Sequence, residues 1–237
     1  MRRVLVIEHA EDGGIGHFGP WLRDGGAEPV TVRPYRGEPL PGLAGYDGLI
    51  VLGGAMGALD DDVAPWLPGV RDLLATAVRT GLPTLGICLG AQLLAASCDG
   101  RVARATGVPG AEPEIGVREV AVDAAGDPLL GALPAVIPAT QWHYDLVTRT
   151  PPGAVTLART PACPHQAYRV GDRAWGVQFH PEVLRTDLDS WNRSGAGSLT
   201  ECGTTPEAVL AEYDARFTEI TDAAETIAHA FAKIVTS

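Results

Sequence analysis

The segment Pro83-Thr84-Leu85-Gly86-Ile87-Cys88-Leu89-Gly90-Ala91-Gln92-Leu93-Leu94-Ala95-Ala96 joins two kinds of local order across one residue. Residues 83–87 form a short apolar run of strand length, and residues 91–96 are strong helix formers. Gly86 and Gly90 flank Cys88, the pattern of a tight strand-to-helix turn in which glycine relieves crowding around a reactive side chain. Cys88 then falls at a helix N-terminus, where the dipole and unpaired N–H groups favour a thiolate. A buried structural cysteine fits these five residues equally well, so other positions must decide.

Upstream, the runs Val4 to Ile7, Pro29 to Val32 and Gly48 to Leu52 also read as strands, the third ending in Gly53-Gly54. Val70, Leu73, Leu74, Ala77 and Val78 recur at helical spacing before a stop at Gly81. Alternation of strand and helix predicts a parallel sheet with helices on its faces, and ligands bind such sheets beyond the carboxyl ends of the strands. Both glycine-rich turns lie at such ends. Downstream the pattern changes. Gly116 to Val122 alternates, Val155 to Ala158 is a short apolar run, and Gln166 to Val170 meets Arg173 to Val177 across Gly171-Asp172 as a hairpin. Antiparallel strands joined to a parallel core predict one mixed α/β domain. Pro206 to Val235 reads as a closing helical stretch with Val209, Tyr213, Phe217, Ile220, Ile227, Phe231 and Ile234 buried, and Ser194 to Ser198 as a Gly/Ser-rich loop.

Gly176-Val177-Gln178-Phe179-His180-Pro181-Glu182 supplies a base and a carboxylate two residues apart. On an extended segment these face one side, about 6.6 Å apart along the chain, a gap a glutamate side chain spans. His180 is thus placed to take a proton from Cys88 while Glu182 holds its other ring nitrogen. Without Cys88 the same two residues would read as a surface pair ending a strand. Gly53-Gly54-Ala55-Met56-Gly57 offers unobstructed backbone N–H groups; those of Gly54 and of Leu89, behind the nucleophile, are the pair suited to an oxyanion.

Taken together, the stretches 53–57, 86–92 and 176–182 resemble the class I glutamine amidotransferases. The similarity extends through Glu114-Ile115-Gly116, Gln141-Trp142-His143-Tyr144-Asp145 and Gln166-Ala167-Tyr168, which resemble a stand-alone branch similar to the glutaminase of GMP synthase. The resemblance implies a single domain over 1–237 with a mixed, mostly parallel central sheet flanked by helices, of flavodoxin-like architecture. It implies a thioester mechanism with Cys88 as nucleophile, His180 as proton carrier and Glu182 as its orienter, and oxyanion donors at Gly54 and Leu89. It puts Gln92 and Gly53 at the glutamyl pocket and His143 and Asp145 at its mouth. No metal or organic cofactor is implied. The implied partners are glutamine or a γ-glutamyl small molecule and a synthetase that accepts ammonia. Tyr144 and Val117 depart from the glycine and aromatic residue of related stand-alone sequences, which puts a larger γ-glutamyl amide or peptide beside glutamine as substrate. A non-catalytic binding protein on the same fold is the third reading.

Composition narrows the setting. Nearly half the 237 residues are hydrophobic, yet no run approaches the roughly 20 apolar residues a membrane span needs. The apolar start stops at Glu8 and His9, too short for a signal-peptide core. A formal charge of −11 without a basic block argues against nucleic acid. Cys88, Cys98, Cys163 and Cys202 are widely spaced, suggesting neither a disulfide framework nor a C-x-x-C metal site, and fit a reducing cytoplasm. Asp60-Asp61-Asp62 reads as a solvated loop before a helix rather than a metal site.

Overall fold

Along Val4, Leu5, Val6 and Ile7 the side chains alternate between two buried clusters, Val4 and Val6 in one and Leu5 and Ile7 in the other. Ile50 and Leu52 against Leu49 and Val51 divide in the same way. Such period-two division is what a strand covered on both faces requires. The computed structural model describes residues 1–237, the side chain of Ala196 excepted. Its strands are β1 (Arg2–Ile7), β2 (Ala27–Val32), β3 (Gly48–Val51), β4 (Thr84–Ile87), β5 (Arg101–Arg104), β6 (Glu114–Val122), β7 (Val136–His143), β8 (Asp145–Arg149), β9 (Val155–Arg159), β10 (Ala167–Val170) and β11 (Ala174–Val177). Its helices are α1 (Phe18–Asp24), α2 (Leu67–Thr80), α3 (Leu89–Ser97), α4 (Arg185–Ser194), α5 (Ala196–Glu201), α6 (Pro206–Ala215) and α7 (Phe217–Thr236).

Nine strands form one sheet in the order β2-β1-β3-β4-β11-β10-β9-β6-β7. The pairings from β2 to β11 are parallel and those from β11 to β7 antiparallel. This is the mixed α/β domain expected from the sequence. β5 and β8 form a separate antiparallel pair. Helices α1 and α7 cover one face through Phe18, Leu22, Ile227 and Phe231. Helices α2 and α3 cover the other through Leu67, Val70, Leu74, Leu93 and Leu94. Each such fully buried side chain contributes roughly 1.5–3 kcal/mol relative to exposure. Gly81 ends α2 in the left-handed conformation at φ 70°, which explains the stop read there.

Two stretches differ from their sequence patterns. The closing helical stretch is two helices, broken at Arg216, whose guanidinium bonds Glu219 at 2.6 Å and Glu119 at 2.8 Å across to β6. The Gly/Ser-rich stretch read as a loop is helical on both sides of Gly195. A Cβ on Gly195 would lie 2.9 Å from Trp142 Cζ2, so the glycine there serves close packing.

The register decides where chemistry sits. Ile7 pairs with Val51, Val51 with Gly86 and Ile87 with Val177, so the carboxyl ends of four neighbouring parallel strands align. Residues just past those ends, His9, Gly53, Cys88 and Gln178, therefore gather along one rim of the sheet.

Candidate active site

Cys88 leaves β4 with φ 51° and ψ −107°, a conformation L-residues rarely adopt, before α3 begins at Leu89. A non-glycine residue held there stores on the order of 1–3 kcal/mol, which persists only where surrounding structure dictates it. The Cys88 N–H donates to Val177 O at 2.8 Å. A Cβ on Gly86 would lie 2.4 Å from Gly90 O, and one on Gly90 would lie 1.9 Å from Val51 O. Both glycines are required by backbone approaching backbone, as the pattern around Cys88 suggested.

The side chain of Cys88 is buried, with its Sγ 3.9 Å from Trp142 O. Gln178 Nε2 donates to Cys88 Sγ at 3.5 Å. Gln178 is held in turn by Gln92, whose Nε2 donates to Gln178 Oε1 at 3.2 Å and to Asp145 O at 2.9 Å. The run Asp145 O, Gln92, Gln178, Cys88 fixes which end of the Gln178 amide meets the sulfur. Sequence reasoning assigns Gln178 no role, although it shares strand parity with His180 and Glu182, and that parity is the available signal.

His180 and Glu182 are buried, with His180 Nδ1 2.8 Å from Glu182 Oε1. The Cys88 side chain lies on the side of the same imidazole away from Glu182, and its charge acts on the ring. A Cβ on Gly53 would sit 3.0 Å from His180 Cε1 and 3.7 Å from Cys88 Cβ, so Gly53 covers the junction of the two. His180 is fixed further by an edge contact of its ring with Trp191, centroids 4.8 Å apart, and by its backbone N–H donating to Thr140 O at 2.8 Å. Burial opposes a charged imidazole. The negative charges of a Cys88 thiolate and of Glu182, with hydrogen bonds to both, overcome it and raise His180 well above its usual value. Glu182 is anchored through its backbone too, its carbonyl accepting from His17 N at 2.9 Å beneath Gly16.

Among the described residues, the N–H groups of Gly54 and Leu89 donate to no backbone or side-chain acceptor. The two residues adjoin, since a Cβ on Gly54 would lie 2.9 Å from both Leu89 Cδ2 and His9 Cβ. His9, which carries no signal in the sequence, accepts from Trp66 Nε1 at 3.0 Å through Nδ1, and burial lowers its pKa to about 4. A neutral ring therefore backs the glycine turn. Asp60 and Asp61 are occupied nearby, Asp60 by Gly57 N at 2.7 Å and Asp61 by Arg71 at 2.7 Å.

The structure thus brings Cys88, His180, Glu182, Gly53, Gly54, Leu89 and Gln92 together. His143 and Asp145 follow on the strand segment that passes the thiol, but their side chains turn elsewhere. The Asp145 carboxylate lies toward Gly57 and Asp60, and burial, offset by Arg104, raises its pKa. His143 faces Glu114.

A family profile described as "Glutamine amidotransferase class-I" matches residues 26–191. The chain belongs to the class I glutamine amidotransferases. That membership makes the amidotransferase a cysteine-dependent amidohydrolase by class. It is 39% identical over 168 residues to a glutamine-hydrolyzing GMP synthase of Aeropyrum pernix, covering 69% of this chain and 30% of that protein. The chain thus spans less than a third of the length of the first curated relatives it matches. It is 31% identical to a separate subunit of the glutamine-hydrolyzing GMP synthase of Natronomonas pharaonis, over 79% of this chain and 91% of that shorter protein. Among solved structures, a glutamine amidotransferase from Thermotoga maritima superposes with a TM-score of 0.86 at 26% identity, covering 100% of this chain and 99% of that one. No helix among the described residues is long and apolar enough to cross a membrane.

Proposed function

We propose that the amidotransferase hydrolyses the side-chain amide of glutamine through a cysteinyl thioester and that residues 1–237 act as one domain in doing so. The Cys88 thiolate attacks the amide carbon, and the oxygen, now negative, is received by the N–H groups of Gly54 and Leu89. Each such donor lowers the barrier by roughly 3 kcal/mol. Protonated His180, oriented by Glu182, gives its proton to the departing nitrogen; the C–N bond breaks, leaving ammonia and the thioester. His180, now neutral, takes a proton from water, which attacks the thioester and releases glutamate and the thiolate. Gln178 keeps the sulfur aimed. Gln92, Gly53 and Asp145 border the glutamyl side, while His143 supports that side through the backbone it shares with Asp145.

The observation that carries this reading is the buried His180–Glu182 pair at 2.8 Å beside a thiol on a strained helix N-terminus. The ammonia is proposed to pass to a partner synthetase, a role supported by the likeness to the Natronomonas pharaonis protein over nearly all of its length. Four free cysteines suit the cytoplasmic setting proposed with it.

A second reading, hydrolysis of a γ-glutamyl amide or peptide by the same steps, is favoured by Tyr144. Its ring lies under Arg104 at 4.6 Å, and its hydroxyl donates to Ser198 O at 2.8 Å, so a fixed aromatic side chain stands where the family resemblance implies a glycine. The deciding experiment offers glutamine and a panel of γ-glutamyl amides to wild type and Cys88→Ala, with and without a synthetase. Glutamate release from glutamine that vanishes in Cys88→Ala is expected. Preference for the larger amides would favour the second reading, and ligand binding without turnover on any substrate would leave a binding protein.

A further inference from the structure

Glu114 opens β6 and His143 closes β7, and the two residues are paired in register. Cys163 approaches them from the turn between β9 and β10. One ligand atom from each, a carboxylate oxygen, an imidazole nitrogen and a sulfur, all lie within 4.8 Å of one another, and all three residues are buried. The carboxylate is oriented: Glu114 Oε2 accepts from Gln166 Nε2 at 2.7 Å and from Thr160 Oγ1 at 3.0 Å. Thr160 Oγ1 also accepts from Cys163 N at 3.0 Å, so one hydroxyl ties the sulfur-bearing turn to the carboxylate.

The imidazole is not satisfied by this network. His143 Nε2 is 3.3 Å from Glu114 Oε2, close enough for an ion pair but without hydrogen-bond geometry, and neither ring nitrogen has a hydrogen-bond partner. An unpaired polar group in the interior is costly.

We propose that Glu114, His143 and Cys163 form a binding site for one divalent, thiophilic metal ion, with Zn2+ the best match to an oxygen, nitrogen and sulfur donor set. Ligands at about 2.0–2.3 Å from one zinc stand roughly 3.3–3.8 Å apart, so the cluster needs only a small contraction. Cys163 gives its proton to solvent as the metal–sulfur bond forms. One carboxylate, one thiolate and a dication then sum to zero charge, which suits a buried site. Water or Gln166 Oε1, itself buried and unpartnered, completes the coordination. The ion would pin the strand segment whose Trp142 O faces Cys88 Sγ at 3.9 Å and whose Asp145 O receives Gln92. The proposal does not depend on which amide the enzyme cleaves.

The test uses the full chain, stripped with a chelator and titrated with Co2+ as a spectroscopic probe. One equivalent is expected to produce a sulfur-to-cobalt charge-transfer band that Zn2+ abolishes by displacement. The band should be lost in Cys163→Ser and in His143→Gln and retained in Cys88→Ala, Cys98→Ser and Cys202→Ser. Absence of the band in wild type would overturn the proposal. A band lost in Cys88→Ala would overturn it by placing the ion at the nucleophile. If Cys163→Ser does not fold, zinc-edge X-ray absorption of the Cys88→Ala protein decides: one sulfur with lighter ligands is expected, and a shell without sulfur refutes the site.

Discussion

Cys88 and Cys163 are both buried, and both lie close to a histidine and a glutamate, yet their surroundings differ in kind. Cys88 stands at the N-terminus of α3, receives a side-chain N–H from Gln178 and shares His180 with Glu182. Cys163 sits in a turn on the antiparallel half of the sheet, where burial pushes its thiol up to about 12. Burial alone makes a cysteine inert; donors and a neighbouring cation are what make it a nucleophile.

Exchanging the two thiols for methyl groups tests the contrast most severely. Cys88→Ala is expected to lower glutamate release by about 10^4-fold or more, whereas Cys163→Ala in the metal-free enzyme should stay within roughly tenfold of wild type. Equal losses would erase the distinction. The rigid setting of Cys88 is sharpened by Gly90→Ala, whose new methyl would meet Val51 O at 1.9 Å. Urea unfolding should show a loss of about 3 kcal/mol or more. Gln178→Ala removes the donor to sulfur, and hydrogen bonds to charged groups contribute about 1.5–3 kcal/mol, so iodoacetamide alkylation of Cys88 and kcat should both fall roughly 10- to 100-fold. A change in KM alone would show that Gln178 serves substrate binding instead. Glu182→Gln removes one of the two charges that hold His180 protonated, so the ring should titrate at lower pH than in wild type. The imidazolium is then lost earlier as pH rises, and the alkaline limb of the kcat profile moves down; imidazole NMR resonances across pH give the comparison directly.

The parallel half of the molecule is legible from residue order because its signals are local. Strands β1, β3 and β4 are apolar runs, and β3 and β4 stop in glycine turns; Cys88, His180 and Glu182 each sit in a short recognisable stretch. The antiparallel half is legible only in part: β6, β9 and the β10–β11 hairpin carry strand patterns in the sequence, whereas β7 does not. Strand β7 places Thr140, Gln141 and His143 in the interior and carries Pro138, which reads against a strand. Pro138 is tolerated because β7 is the last strand of the sheet and pairs only with β6. Glu114, His143 and Cys163 come from three separate segments, so no spacing rule could assemble them. The break at Arg216 has no glycine or proline to announce it, and the guanidinium there bonds Glu119 on β6, far away in sequence.

Gly16 adopts φ 47°, and a Cβ there would collide with Glu182 O at 1.9 Å. The residue contributes no side chain, yet it is the seat on which the carboxylate-bearing segment rests. A saturation mutagenesis survey would therefore score position 16 among the residues essential for turnover. Over evolutionary time the N-terminal loop and the segment carrying Glu182 are bound to drift together, since neither can change its path without the other.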